Sequence, residues 1–163
     1  MRTLKPEPLT AEAFAPFGHV IEASDAATRI EINQGHAIRY DCLAETDVND
    51  GGGTAAISIF RARPLAALEL KTFERHPLGS QAFVPLSGKP YLVAVAPPGH
   101  LNPASIRVFQ AEPHQGVQYS KGTWHHFLLV LEESDFLVID RSGPGDNCEE
   151  VELAPADQIR VIL

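Results

Sequence analysis

The chain is organised around residues 73–95, which read FERHPLGSQAFVPLSGKPYLVAV. Gln81 opens the strand-like run QAFVPL, a turn follows at Gly88 and Pro90, and residues 91–96 form an almost uninterrupted apolar run. Just before and into this stretch, the alternate positions 68, 70, 72, 74 and 76 hold Leu, Leu, Thr, Glu and His. This spacing predicts one strand with all five side chains on one face, so that a carboxylate and an imidazole share an otherwise apolar surface.

A second stretch, residues 116–131, reads GVQYSKGTWHHFLLVL. Gly116 and Gly122 flank a short turn, and the apolar residues after it predict a single strand over residues 123–131. In such a strand His125 and His126 point to opposite faces, so only one of them can face a cavity. Polar side chains in both stretches predict a ligand site where the two stretches meet.

Composition limits the classes of protein that the chain can be. With 163 residues, 44% of them hydrophobic, it is long enough for one domain, residues 1–163, with its own core. The 21 acidic and 13 basic residues give a net charge of −8, which argues against nucleic acid or an anionic membrane as a partner. No secretory segment and no run of about 18 apolar residues is present, which predicts a cytoplasmic location. The two cysteines, Cys42 and Cys148, are expected to be reduced and buried.

The rest of the chain predicts an all-β fold. A short helix should follow Thr10, and about ten short strands follow without any alternation of strands and helices. Residues 54–62, TAAISIFRA, predict a buried strand, and residues 148–153, CEEVEL, predict an exposed edge strand. The pattern is typical of a jelly roll or barrel with one or two short helices.

The spacing of the two stretches resembles the two cupin motifs. Positions of the first motif fall on Glu74, His76, Gln81 and Gly88, and positions of the second fall on Ser120, Gly122 and His125. The resemblance implies a cupin-type jelly-roll β-barrel. It also implies that His125, rather than His126, faces the cavity.

Five longer sequence segments, in their order along the chain, resemble the ureidoglycolate lyase family of allantoin degradation, formerly called ureidoglycolate hydrolase. They are INQGHAIRYDCL at residues 32–43, ISIFRA at 57–62, ERHPLGSQAFVPL at 74–86, GVQYSKGTWHH at 116–126 and FLVIDRSGPGDNC at 136–148. The resemblance implies a carbon–nitrogen lyase that eliminates urea from (S)-ureidoglycolate to give glyoxylate during purine breakdown. It further implies a homodimer and a divalent metal, nickel, without an organic cofactor.

Three residues are the candidates for catalysis and for holding such a metal: His76, His125 and Glu74. A histidine bonded to a loop carbonyl or a solvated strand-end carboxylate is the structural alternative for each. Candidates for binding an anionic small-molecule substrate are Arg61, Gln81, Tyr119 and Lys121. A guanidinium suits a carboxylate, and a neutral amide suits the ureido group better than it suits a metal.

Other interpretations stay open. Arg61 can instead form an internal salt bridge, and Tyr119 and Lys121 can be surface groups. The segment with His36, Arg39 and Tyr40 can lie at the mouth of the site or at a subunit contact, and the edge strand 148–153 could pair two subunits. Two rival functions remain. One is a non-catalytic cupin that senses a small carboxylate, and the other is a metal-dependent oxygenase or isomerase, against which the missing His-x-His pair counts.

Overall fold

The computed structural model describes all residues, 1–163. It contains one short α-helix, α1 (Ala11–Phe14), three turns of 3-10 helix, and seventeen strands. The strands are β1 (Arg2–Leu4), β2 (Glu7–Pro8), β3 (Gly18–Ile21), β4 (Thr28–Ile32), β5 (Ala37–Asp41), β6 (Thr54–Ala62), β7 (Glu69–Leu70), β8 (Thr72–Arg75), β9 (Gln81–Pro85), β10 (Tyr91–Ala96), β11 (Arg107–Ala111), β12 (Gly116–Tyr119), β13 (Trp124–His125), β14 (Leu129–Val130), β15 (Ser134–Ser142), β16 (Glu149–Glu152) and β17 (Ile159–Val161). The helix begins where the sequence predicts, because the hydroxyl of Thr10 accepts a hydrogen bond from the Ala13 backbone at 3.1 Å.

Fifteen of the seventeen strands form three stacked layers, and β4 and β5 pair only with each other. The middle layer is a seven-stranded sheet in the order β16-β8-β13-β10-β11-β2, with β14 also paired to β10. A five-stranded sheet, β3-β12-β9-β15-β6, packs on one side of it, and a three-stranded sheet, β1-β17-β7, packs on the other. The expected all-β jelly roll with a short helix is confirmed, and its sheets remain open at their edges instead of closing on themselves. No helix is long and apolar enough to cross a membrane.

The layering explains the uninterrupted apolar run of β10. Tyr91, Val93 and Val95 enter the core shared with the five-stranded sheet, whereas Leu92, Ala94 and Ala96 enter the core shared with the three-stranded sheet. A strand covered on both faces has no solvent side, so polar residues do not alternate along it.

Residues 68–76 do not form the single strand with one alternating face that we expected, because the chain passes from one sheet to another within this segment. β7 pairs with β17 in the three-stranded sheet, whereas β8 pairs with β13 and β16 in the middle sheet, and the change occurs at Lys71. Leu70 and Phe73 consequently occupy the same core, although they are three positions apart. The alternation therefore holds only from Thr72 onward, where the side chain of Glu74 points toward the five-stranded sheet.

Three further expectations are wrong. The segment 123–131 is not one strand, because β13 ends at His125 and β14 begins at Leu129. Strand β6 has the predicted bounds, but it is not buried, since it forms the edge of its sheet with Ile57 and Ile59 exposed. Both cysteines are free, as expected, but exposed.

The final edge strand lies where the sequence predicts. β16 ends the seven-stranded sheet and carries three glutamates, Glu149, Glu150 and Glu152. Pairing this edge with a second copy would bring like charges together, and charged edges are a common protection against such pairing. The charge therefore argues against β16 as the contact between two subunits.

Candidate active site

Glu74, His76 and His125 lie together between the seven-stranded and five-stranded sheets. Glu74 on β8 is paired directly with His125 on β13, and paired residues of neighbouring antiparallel strands share one face. Oε1 of Glu74 lies 3.8 Å from Nδ1 of His125. His76 follows two positions after Glu74, and its ring centre is 5.1 Å from that of His125. Potential ligand atoms of the three residues all lie within 4.8 Å of one another.

A glycine turn joins the two sequence motifs. Gly122 has a φ of +79°, a conformation that glycine adopts without the steric cost that other residues incur. Its backbone N–H donates to the backbone oxygen of His76 at 2.9 Å. This bond holds the segment before His125 against the end of β8, which brings the motif histidines of both stretches to one place.

The hydrogen bonds of the two imidazoles define their tautomers. Nδ1 of His76 faces the backbone oxygen of Asn147 at 2.7 Å, and Nδ1 of His125 faces the backbone oxygen of His126 at 3.3 Å. A carbonyl oxygen can only accept, so Nδ1 of each ring is the nitrogen that carries a proton toward its carbonyl. Both Nε2 atoms are buried without any partner.

Burial also controls the charges of the cluster. It raises the pKa of Glu74, with the charge of Glu150 adding to the rise and His76 opposing it. It lowers the pKa of His125 to about 3, so that this ring is neutral at physiological pH. The pKa of Tyr119 is raised by burial and by the charge of Glu74. Tyr119 is therefore a neutral phenol, and its ring stacks on His125 with 4.3 Å between the ring centres.

The cluster opens into a cavity of about 430 Å³ that both sheets line. Gln81 and Tyr119 reach it from the five-stranded sheet, and Phe127 lies at its exposed mouth. Nε2 of Gln81 donates to Oδ2 of Asp140 at 3.1 Å, which fixes the orientation of the amide because a carboxylate only accepts. Oε1 of Gln81 is left buried and without a partner. Two of the residues that line the cavity, Gln81 and His125, thus carry a buried polar atom that has no partner in the chain.

The two arginines at the cavity are already paired. Arg61 makes a two-point contact with Asp135, at 2.8 and 2.9 Å, and Arg63 bonds to Glu133 at 3.2 Å. The internal salt bridge, the structural alternative for Arg61, is what the structure contains. The guanidinium of Arg61 can receive a substrate carboxylate only if it leaves Asp135, whereas Arg63 contacts its partner through Nε alone.

Lys121 lies apart from the cluster. Its ammonium contacts Asp47 at 3.1 Å and also Asp50, in a separate polar cavity of about 620 Å³. The residue follows Tyr119 by two positions, but β12 ends at Tyr119 and Lys121 lies in the turn after it, so the two side chains reach different cavities. The structure therefore does not bring Lys121 to the site at which we expected it to hold the substrate.

Both histidines of the pair border the cavity, contrary to the expectation that only one could. Strand β13 ends at His125, so the two-residue alternation no longer governs His126. The ring of His126 packs edge-to-face on Phe73, which lies in the core between the seven-stranded and three-stranded sheets, with 5.9 Å between the ring centres. Its Nδ1 bonds to the backbone oxygen of Phe127 at 3.0 Å. His126 is thus a wall of the cavity, whereas His125 belongs to the three-residue cluster.

Sequence reasoning did not find two residues that position the cluster. Asn147 holds Nδ1 of His76 through its backbone oxygen and accepts from the Leu78 backbone at 2.7 Å through its side chain. It lies in the turn SGPGDN, which has no motif that points to the site. Asp140 lies on β15, and only the pairing of β15 with β9 brings it to Gln81.

The donor set of the cluster fits a divalent metal. Two imidazoles whose Nε2 atoms have no partner and one carboxylate are ligand types that borderline metals prefer. Each ring also donates its other nitrogen to a carbonyl, as metal-binding histidines commonly do. The buried acceptors that lack a partner would gain one from a bound cation.

Comparison with known proteins identifies the family of the chain. The family model described as ureidoglycolate lyase matches residues 1–160. Curated relatives with that name include proteins from Burkholderia mallei (strain NCTC 10229), 52% identical over 94% of this chain and 91% of that protein, and from Pseudomonas entomophila (strain L48), 49% identical over 99% and 98%. A solved dTDP sugar isomerase from Desulfovibrio desulfuricans G20 aligns over 87% of this chain and 89% of that chain, at 14% identity and a TM-score of 0.49. The chain belongs to the ureidoglycolate lyase family.

Proposed function

We propose that the protein splits (S)-ureidoglycolate into urea and glyoxylate in the breakdown of allantoin, with residues 1–163 acting as one catalytic domain. The observation that carries the proposal is the cluster of Glu74, His76 and His125 beside a cavity, in a chain of this family. Relatives that bear the name ureidoglycolate lyase are about half identical over nearly the whole chain. The family membership favours an enzyme over a non-catalytic carboxylate sensor.

The substrate determines what the site must do. Its central carbon bears a hydroxyl, a carboxylate, a hydrogen and the ureido nitrogen. Elimination removes the hydroxyl proton, forms the C=O bond of glyoxylate and breaks the C–N bond, whose electron pair leaves with the nitrogen. That nitrogen then takes a proton to become urea. The site must therefore accept one proton, supply another and hold the substrate in one orientation.

Glu74 is the group that we propose as the proton acceptor. Burial makes this carboxylate more basic, whereas it makes His125 less basic, with a pKa of about 3. A base with a raised pKa takes a hydroxyl proton more readily at neutral pH. Tyr119 stays protonated and can donate a hydrogen bond or a proton to the leaving nitrogen. The fixed acceptor Oε1 of Gln81 suits an N–H of the ureido group.

The residues that would hold a divalent metal are His76 and His125, with one oxygen of Glu74. We propose nickel as the metal, on the resemblance to the family. When bound, such an ion supplies Lewis acidity that lowers the pKa of the substrate hydroxyl and positive charge for the carboxylate. The chain itself offers little such charge, because both arginines at the cavity are neutralised by carboxylates.

One assay separates the candidate functions. Purified protein is incubated with (S)-ureidoglycolate, and urea, glyoxylate and ammonia are measured separately. Urea and glyoxylate in equal amounts without ammonia support the lyase. Release of ammonia would identify an amidohydrolase instead, and saturable binding without any product would identify a sensor.

Removal of the metal tests the second part of the proposal. Prolonged chelation followed by buffer exchange should abolish urea release, and nickel should restore it. A His76→Ala variant should contain less metal per chain than the wild type when both are measured by elemental analysis. Full activity in protein that contains no metal would contradict the proposed role of the ion.

We further propose that the protein acts in the cytoplasm and as a homodimer. The family resemblance is the ground for the dimer. The edge strand β16, which the sequence suggested as its contact, carries three glutamates, so the contact must be sought elsewhere on the surface.

A further inference from the structure

Strands β4 and β5 form an arm, residues 28–41, that stands away from the rest of the chain. They pair with each other and with no other strand. Ile30 is 41% exposed and Ile38 is 56% exposed. The two isoleucines lie on opposite faces, because Ile38 is paired with Glu31 and not with Ile30. An isolated two-stranded hairpin is at best marginally stable in water, so this arm requires a surface to lie on.

A second apolar surface is the outer face of the five-stranded sheet. On strand β6, Ile57 is 72% exposed and Ile59 is 56% exposed. Ile59 lies beside Leu137 of β15, which is beside Val84 of β9, so an apolar row crosses three strands. The opposite face of the same sheet packs against the seven-stranded sheet. On β6 and β15 the outer face is therefore an apolar surface that its own chain leaves exposed, whereas at β12 the segment around Glu45 covers it and accepts a hydrogen bond from Gln118.

The arm does not cover the outer face of its own chain. It follows β3, which is the edge of the five-stranded sheet opposite to β6. Every residue from 28 to 36 is exposed. The chain thus has two separate apolar surfaces, and neither satisfies the other.

We infer that two copies of the chain exchange arms, so that the arm of each copy lies on the outer face of the other. This places the contact of the homodimer proposed above. A two-fold arrangement pairs one face of each arm with the outer face of the other copy, so that the two contacts are equivalent, as in closed dimers. Strand β6 also contributes Phe60 and Arg61 to the wall of the cavity, so the contact adjoins the active site.

Charge favours these two surfaces over the remainder of the molecule. The arm contains Arg29, Arg39, Glu31 and Asp41, which is two positive and two negative charges and a net charge of zero. Strand β6 carries a single charge, that of Arg61. The whole chain has a net charge of −8, so two surfaces without net negative charge reduce the repulsion between the copies.

The test uses three single substitutions of exposed residues. Ile38→Asp alters the arm, Ile57→Asp alters the outer face, and Val151→Asp alters the edge strand β16 as a matched control. Molar mass is measured by light scattering after size exclusion, and far-UV circular dichroism verifies the fold. We expect the wild type and Val151→Asp to be dimers. We expect Ile38→Asp and Ile57→Asp to be folded monomers, with dissociation constants raised by about 100-fold or more.

Mixing the two monomeric variants distinguishes arm exchange from contact between two outer faces. In a mixed dimer both substitutions fall in one arm-to-face contact, and the other contact is intact. The mixture should therefore recover dimers that neither variant forms alone. A monomeric wild type, a dimeric Ile38→Asp beside a monomeric Ile57→Asp, or a mixture that stays monomeric would each overturn the inference. None of these readouts depends on release of urea, so failure of arm exchange and failure of the lyase proposal are distinguishable.

Discussion

Replacing His125 by alanine should lower activity, whereas replacing His126 by alanine should lower stability. His125 belongs to the cluster with Glu74 and has an Nε2 without any partner. His126 packs on Phe73 and bonds to the Phe127 backbone. The two side chains are adjacent in sequence and equally well buried, so each variant is a control for the other.

For His125→Ala, kcat/KM should fall by about 10²-fold or more, the range typical of a positioned catalytic group. That fall corresponds to at least about 2.7 kcal/mol of transition-state stabilisation. The free energy of unfolding should change by less than about 1 kcal/mol, because the lost stacking on Tyr119 is offset by removal of an unsatisfied buried acceptor. Water can enter the space, since the site opens into the cavity.

For His126→Ala, the expected effects are reversed. Loss of the contact with Phe73 and of the bond to the Phe127 oxygen should lower the free energy of unfolding by about 1–3 kcal/mol. Activity per folded chain should stay within about tenfold of the wild type, since the ring is not part of the cluster. Denaturant unfolding and the urea assay measure the two effects. A folded His126→Ala protein without activity, beside an active His125→Ala protein, would refute the assignment.

Three other substitutions test the remaining contacts. Asp140→Ala should weaken substrate binding by about tenfold, equivalent to one hydrogen bond, because the Gln81 amide is no longer fixed. Adding Gln81→Met to it should cost nothing further, and additive losses in a double-mutant cycle would disprove the coupling. Lys121→Met should leave kcat/KM within about twofold of the wild type, since the ammonium belongs to the other cavity. A larger loss would show that Lys121 acts at the active site. Glu7→Gln should destabilise the fold by less than about 1 kcal/mol at pH 7, because Glu7 and Arg107 are both partly exposed. The hydrogen bond from Arg107 lowers the pKa of Glu7 in the folded protein below its ordinary value of 4.5. This stabilisation is thus complete above pH 4.5 and is lost as pH falls through the lowered pKa. The free energies of unfolding of the two proteins, measured in denaturant, should therefore become equal in acid. A constant difference between them at every pH would contradict the ionic origin.

The amino-acid sequence by itself determined the local structure of this protein. The period-two pattern predicted that Glu74 and His76 lie together, and they do, with Glu74 on β8 and His76 just after its end. The glycines near Tyr119 marked the turn of the second motif. The strand bounds of β6 and β10 also followed from their residues. These features depend on neighbours within a few positions, which a pattern of residue types records.

Tertiary structure alone decided which side chains meet. Glu74 contacts His125 because β8 and β13 pair across fifty residues of chain, and Lys121 turns away because Asp47 and Asp50 bind it. The exposure of Ile57 follows from the position of β6 at the edge of a sheet, which its own residues do not reveal. Pairing partners and sheet order are set by the total free energy of many distant contacts, and a local pattern is compatible with several such arrangements.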